Sequence, residues 1–196
     1  MRFDKGHKEQ TRRRIVETAA RLFRKEGVEA VGIAGLMADA GLTHGGFYAH
    51  FASKEELVRE ALEEASEQSH ARRAVVLERA EPGLQKLEAL VRQYLRPTHR
   101  DTPEMGCAAA ALIAEIARHE PETRAAFAAR LTQLLEQYEA ALPEDMEAEQ
   151  RTRRAIGIFG ALLGTLQMAR AVTDPALSDK ILESGIEAAL ALARIG

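Results

Sequence analysis

The chain has 196 residues, 46% apolar and 29% charged, a balance that excludes a chain dominated by disorder. Its longest uncharged stretch, residues 155–169, is 15 residues long, short of the roughly 18 that a membrane span needs. The formal net charge of −3 points to no anionic partner by itself. It divides unevenly, though: residues 1–54 carry ten Lys/Arg against six Asp/Glu, and the remainder carries 17 against 24. A net +4 head on a −7 body suits an anionic partner at the head, with chance surface composition as the plain alternative.

Ala, Leu, Glu and Arg are abundant, Trp is absent, and strand patterns are missing, so helix is expected throughout. The start, MRFDKGHKEQ, has no apolar stretch, and no secretion signal is expected. The single cysteine, Cys107, cannot form an internal disulfide and fits a reducing cytoplasm.

Taken in chain order, Ile15, Ala19, Leu22 and Phe23 form one apolar stripe and predict a helix over 8–26, stopped by Gly27. A short helix over 33–40 turns Leu36, Met37 and Ala40 inward and ends at Gly41. Thr43 can cap a third helix over 43–51. Ser53 and Glu56 form a capping box that opens a long, highly charged helix over 53–80. After Glu81-Pro82-Gly83, helices are expected over 84–95, 105–118, 121–142, 146–172 and 175–195. Pro121 and Pro175 suit first-turn positions, and Asp174 suits a cap. Pro97, Pro103 and Pro143 fall in breaks. The expected fold is all-α with about nine helices.

Residues 43–51 carry the chemistry. On a helix, Phe47 and Phe51 fall together and form the buried side. The opposite side bears Gly45, Gly46 and Ala49, the smallest residues available, although Gly is about 1 kcal/mol worse than Ala in a helix. A solvated face would carry Glu, Lys or Gln. A bare face suits a surface that approaches the backbone closely. Tyr48 and His44 lie on one flank and His50 on the other, all able to bond phosphate oxygens. Lys54 sits in the first turn of the next helix, where the dipole disfavours a cation, which suits a phosphate contact. The arrangement fits a helix entering the DNA major groove. The alternative is a tight loop with a packing-driven Gly-Gly.

The segment TRRRIVETAARLFRKEGVEAVGIAGLMADAGLTHGGFYAHFASKEELVREAL resembles the N-terminal domain of TetR-family transcriptional regulators. The run A-x-x-L-F-x-x-x-G, the turn A-G-L-T, F-Y-x-H-F and S-K-E-E-L occur in the family's order over about residues 10–62. The resemblance implies a helix-turn-helix DNA-binding domain over 1–55 and a larger ligand-binding and dimerisation domain over 56–196, linked by the helix 53–80. It implies a homodimer on a palindromic double-stranded operator, a small-molecule effector and a repressor released by that effector; from the short uncharged stretches, no membrane partner is expected. The DNA-binding set is Thr43, His44, Gly45, Gly46, Tyr48, His50 and Lys54. Two departures stand out. Gly32 replaces the Thr that often caps the second helix and touches phosphate. The reader also lacks an Arg or Lys for guanine, leaving base readout to His44, Thr43, main chain and DNA shape.

Residues 155–169 are apolar nearly all round, so a helix there is buried on all sides, partly by a second subunit. The expected dimer interface is Ile156, Phe159, Gly160, Leu163, Gly164 and Gln167 with Ile181, Gly185, Ile186, Ala189, Leu192 and Ala193. A monomeric core helix is the alternative. Candidates for an effector pocket are Tyr94, His99, Met105, Cys107, Glu115, His119, Phe127, Tyr138 and Met168. Cys107, at the start of an apolar helix, is either plain core or a redox or electrophile sensor. The spacing of His99, Cys107 and His119 matches no zinc pattern, so no metal and no cofactor is expected. With no catalytic motif, an enzyme is not expected. An effector-independent architectural DNA-binding protein is the remaining alternative.

Overall fold

The computed structural model describes residues 5–80 and 84–194, and the regular elements among them are all helical. In order they are α1 (Lys5–Glu26), α2 (Ile33–Asp39), a 3-10 helix (His44–Ala49), α3 (Lys54–Arg79), α4 (Leu84–Tyr94), α5 (Pro97–Asp101), a 3-10 turn (Pro103–Met105), α6 (Ala108–Ile116), α7 (Pro121–Glu139), α8 (Ala148–Ala171) and α9 (Pro175–Arg194). The nine α-helices match the all-α expectation. The expected break at Glu81-Pro82-Gly83 and the expected helix end at Ile195 lie outside the described residues. No helix among the described residues is long and apolar enough to cross a membrane.

The helix ends follow local rules. Gly27 (φ 89°) closes α1, its N–H donating to Phe23 O at 2.9 Å. Gly41 (φ 68°) closes α2 with the paired bonds of a Schellman motif, Gly41 N to Ala38 O at 2.9 Å and Leu42 N to Met37 O at 2.8 Å. Ser53 caps α3 by accepting from Glu56 N at 3.1 Å. Glu56 returns the favour one residue further back, accepting from Ala52 N at 2.7 Å. Asp174 accepts from Ala176 N at 3.0 Å and caps α9.

Three local expectations are corrected. Residues 43–51 form a 3-10 helix over His44–Ala49 instead of an α-helix, consistent with two adjacent glycines that give little drive to propagate α turns. The expected break between the helices over 84–95 and 105–118 instead holds α5 and a 3-10 turn over Pro103–Met105. Pro97 pre-sets the first turn, and Arg170 donates to His99 O at 2.6 Å and Arg100 O at 3.1 Å, a tertiary cap that no local signal announces. Finally, α6 begins at Ala108, so Met105 and Cys107 precede it, Cys107 as its N-cap.

The chain divides into two compact units, Met1–Gln68 with Pro103–Ala128, and Ser69–Thr102 with Ala129–Gly196. The first is built on the α1 stripe. Ile15, Ala19, Leu22 and Phe23 pack with Leu36, Met37, Phe47, Phe51, Leu57, Val58, Leu112 and Ile116. The second gathers Leu87, Leu90, Tyr138, Ile158, Phe159, Leu162 and Leu166, all buried. Its α8 and α9 lie so close that a Cβ on Gly185 would collide with Thr165.

Candidate nucleic-acid interface

The 3-10 helix His44–Ala49 is anchored on its inner side by Phe47 and Phe51, 0% and 1% exposed. Their rings stack at 5.5 Å, with Tyr48 edge-on to Phe47 at 5.2 Å. Thr43 starts the element, its carbonyl accepting from Gly46 N at 3.0 Å. Outward lie Thr43, His44, Gly45 and Ala49, all exposed, with Gly46 half-buried and Tyr48 65% exposed.

The two glycines are not required by the chain's own geometry. Neither has a positive φ. A Cβ at Gly45 would meet nothing within 4 Å. At Gly46 it would make ordinary contacts, 3.7 Å to Met37 Cε and 3.8 Å to Thr43 Oγ1. The bare face is therefore free of any packing cause inside the protein.

A polar frame holds this element from behind. Arg12 donates from Nη2 to Glu56 at 2.8 Å and from Nε to His50 O at 3.3 Å, pairs through Nη1 with Glu60, and lies 4.4 Å over the Phe51 ring. Arg12 was missed as a framing residue. It sits on the α1 core stripe, three and four residues before Ile15 and Val16, and a charge on a core stripe must find partners. Arg24 is the second such case: it is 3% exposed and donates to Ala20 O, Gly106 O and Gln68 Oε1 at 2.9, 3.1 and 2.9 Å.

His50 and Lys54 are placed differently from a simple phosphate-facing pair. His50 is half-buried with its Nδ1 buried and without a hydrogen-bond partner. Burial, with smaller contributions from Lys8 and Arg12, pushes its pKa below the ordinary histidine value. The Lys54 ammonium donates to Val28 O at 2.6 Å, inside the protein frame.

The nine effector-pocket candidates divide between the two units. In the second unit, Tyr94 and Tyr138 each meet Phe159 at 5.8 Å, and His99 meets Tyr94 at 4.8 Å. Met168, also there, is 55% exposed. His99 is buried, and its Nδ1 is 2.6 Å from Tyr94 O. Burial dominates its titration and lowers its pKa to about 4. Met105, Cys107, Glu115, His119 and Phe127 belong to the first unit. Met105 is 53% exposed and Cys107 is buried. Phe127 packs against the first unit's core. Glu115 accepts from Val28 N at 2.6 Å, and His119 Nδ1 pairs with Glu55 at 2.8 Å. Among the described residues no group of three His, Cys, Asp or Glu could hold a metal.

The expected interface residues also split. Phe159, Gly185, Ala189 and Ala193 are buried inside the second unit. Ile156, Gly160 and Gln167 are exposed; Leu163, Gly164, Ile181, Ile186 and Leu192 are half-buried. So within the single chain α8 is covered on one side only.

A short reader behind a tight Gly41 turn and a supporting α2 defines a helix-turn-helix DNA-binding protein. Residues 15–61 match the bacterial regulatory proteins of the tetR family, and residues 83–185 match the tetracyclin repressor-like C-terminal domain. The chain belongs to the TetR family: it is a DNA-binding transcriptional regulator and not an enzyme. An uncharacterized HTH-type transcriptional regulator of Bacillus subtilis (strain 168), YerO, is 44% identical over 50 residues, a match spanning 26% of this chain and 17% of that protein. A TetR transcriptional regulator from Chloroflexus aurantiacus J-10-FL superposes with a TM-score of 0.78 at 24% identity, covering 94% of each chain. AibR, solved in complex with isovaleryl coenzyme A and operator DNA, superposes with a TM-score of 0.65 at 21% identity, covering 91% of this chain and 97% of its own. At these identities the two structures speak to the fold alone.

Proposed function

We propose that the protein is a homodimeric repressor, acting in the cytoplasm, that grips a palindromic operator and is released by a small-molecule effector. One observation carries the reading: the outward face of the 3-10 helix is bare at Gly45, where nothing inside the chain forbids a side chain. A helix interior gains stability from almost any other residue at such a position. Close approach of DNA gives the bareness a cause, because base edges are reached only when the backbone nears the groove floor. Thr43 and His44 are then the side chains nearest the bases, and Tyr48 a phosphate contact. His50 and Lys54 support the reader from its inner side.

The dimer rests on a parallel argument. Ile156, Gly160, Leu163, Gly164 and Gln167 share one face of α8 at helical spacing. Gly160 and Gly164 have nothing within 4 Å of their Cβ positions. An apolar, glycine-notched face of this kind suits a second copy of the same helix. The effector is proposed to bind in the second unit, near Tyr94, His99 and Tyr138. AibR, solved with both an acyl-coenzyme A and operator DNA, supports the idea that one fold serves both ligands. Effector binding would favour a conformation whose two readers no longer fit successive grooves.

The test is selection of bound duplexes from a random DNA pool. The expected product is a palindrome with half-sites about one helical turn apart. Enrichment of a single asymmetric half-site would overturn dimeric recognition, and no enrichment would overturn sequence-specific reading.

A further inference from the structure

We propose that Glu115 is a positioning residue for DNA reading: from α6 it fixes the Val28 peptide, and through that peptide the turn that sets α2 and the reader. The inference rests on the reading of residues 43–49 as the DNA-contacting face. Val28 is held on both sides by charge. Its N–H donates to Glu115 Oε2 at 2.6 Å, and its carbonyl accepts from Lys54 Nζ at 2.6 Å. Bonds to charged partners are the stronger kind, and these two hold the consecutive peptide groups on either side of the Val28 Cα. Gly27, just before, has φ 89° and no Cβ; a Cβ there would collide with Glu115 Oε1. The glycine thus serves both the left-handed turn and the close approach of the carboxylate.

One residue therefore joins three elements: Val28, in the α1–α2 turn, is bonded to α6 through Glu115 and to the first residue of α3 through Lys54. The Val28 side chain is 1% exposed in the first unit's core, so the turn cannot shift without moving core residues. Other ties hold the same segment in place. Arg24 donates to Gly106 O at 3.1 Å, and Glu55 accepts from His119 Nδ1 at 2.8 Å and Thr123 Oγ1 at 2.6 Å. Only the Glu115 tie, among these, reaches the turn that leads into α2. A reader whose outward face is bare at Gly45 and Gly46, with no Lys or Arg to reach the bases, depends on main-chain placement. Sites of this kind need their geometry held to about half an ångström by supporting bonds.

The experiment measures affinity for the duplex selected by the wild-type protein, salt dependence, melting temperature, and amide exchange at Val28. Glu115→Ala should lose about tenfold in affinity with an unchanged salt slope, since no phosphate contact is removed. Its Val28 amide should exchange faster. Glu115→Gln, whose amide oxygen still accepts, should stay within about threefold of wild type. Ile116→Val, a core trim in the same helix, should lower the melting temperature by a few degrees and bind as wild type. Wild-type affinity in Glu115→Ala well below its melting temperature, or an equal loss in Ile116→Val, would overturn the proposal. If Glu115→Ala does not fold, Lys54→Met tests the other half of the grip: the same loss with an unchanged slope supports it, and a slope lower by about one overturns it, placing Lys54 on phosphate instead. A wild-type protein that binds no duplex defeats the DNA reading itself, a result distinct from all of these.

Discussion

His99 stays neutral in the folded protein down to about pH 4, while an unfolded histidine titrates near 6.5. Its folded pKa is depressed, so the unfolded chain binds the extra proton first. The stability present above about pH 6.5 is lost as pH falls and levels off below about 4. Between pH 7.5 and 5 this amounts to about 2 kcal/mol. Urea unfolding at the two pH values should show that loss, and His99→Gln should remove most of it; an equal pH dependence in the variant would assign the effect elsewhere. On the reader, His44→Ala should lose affinity for the selected duplex while keeping its affinity for random DNA. Tyr48→Phe should weaken both by a similar few-fold factor, measured by fluorescence anisotropy. Equal losses on both duplexes for His44→Ala would remove it from base readout. At this scale the sequence was legible where chemistry is local: the buried phenyl rings, the positive-φ glycines and the capping serine all follow from neighbours within five residues. Arg12, Arg24 and Lys54 were harder. All three read as surface charge by composition, and all three are engaged within the first unit, Arg24 buried there and Lys54 bonded to a main-chain carbonyl. The basic excess of residues 1–54 therefore overstates what the head can offer to DNA.

Among the elements, the 3-10 helix and α2 belong together. Gly46 lies over Met37, and exposed Gly35 on α2 has nothing within 4 Å of its Cβ position and no positive φ. Gly35→Ala should stabilise the protein by about 0.5–1 kcal/mol, a rise of roughly 1–4 °C in melting temperature. No rise in calorimetry would mean that the glycine has a structural cause not seen in its surroundings. Gly45→Glu should leave folding intact, because the space is open, and abolish DNA binding through bulk and charge; unchanged affinity would separate this face from DNA. The existence of each long helix was readable from periodicity. The 3-10 geometry was not, since Gly-Gly lowers the drive for α turns without choosing a replacement. Helix α5 was equally hidden, because its last carbonyls are satisfied by Arg170, about seventy residues away in the chain.

For the whole molecule, the open face of α8 is the deciding surface. Gly160→Glu should yield a folded monomer in analytical ultracentrifugation and cost most of the operator affinity, since one reader alone loses the second half-site. A dimer that persists would move the proposed interface off α8. The covering of α8 and α9 was only partly legible. Hydrophobic patterning marked residues 155–169 and 181–193 as covered, but it cannot divide the covering between a chain's own core and a second copy. Phe159, Gly185, Ala189 and Ala193 went to the former, with Gly185 packed against Thr165.

The sequence by itself determined the helical class, the helix stops and caps, the buried stripe of α1, and the inward phenylalanines under a small-residue face. Those depend on residues near one another along the chain, where periodicity and backbone preference act directly. Only the tertiary structure decided that the Val28 backbone is gripped by Glu115 and Lys54, that Arg170 caps α5, that the pocket candidates fall into two units, and which side of α8 stays open. These depend on pairs far apart in sequence, and a charged or apolar side chain carries no local mark of the distant partner that satisfies it.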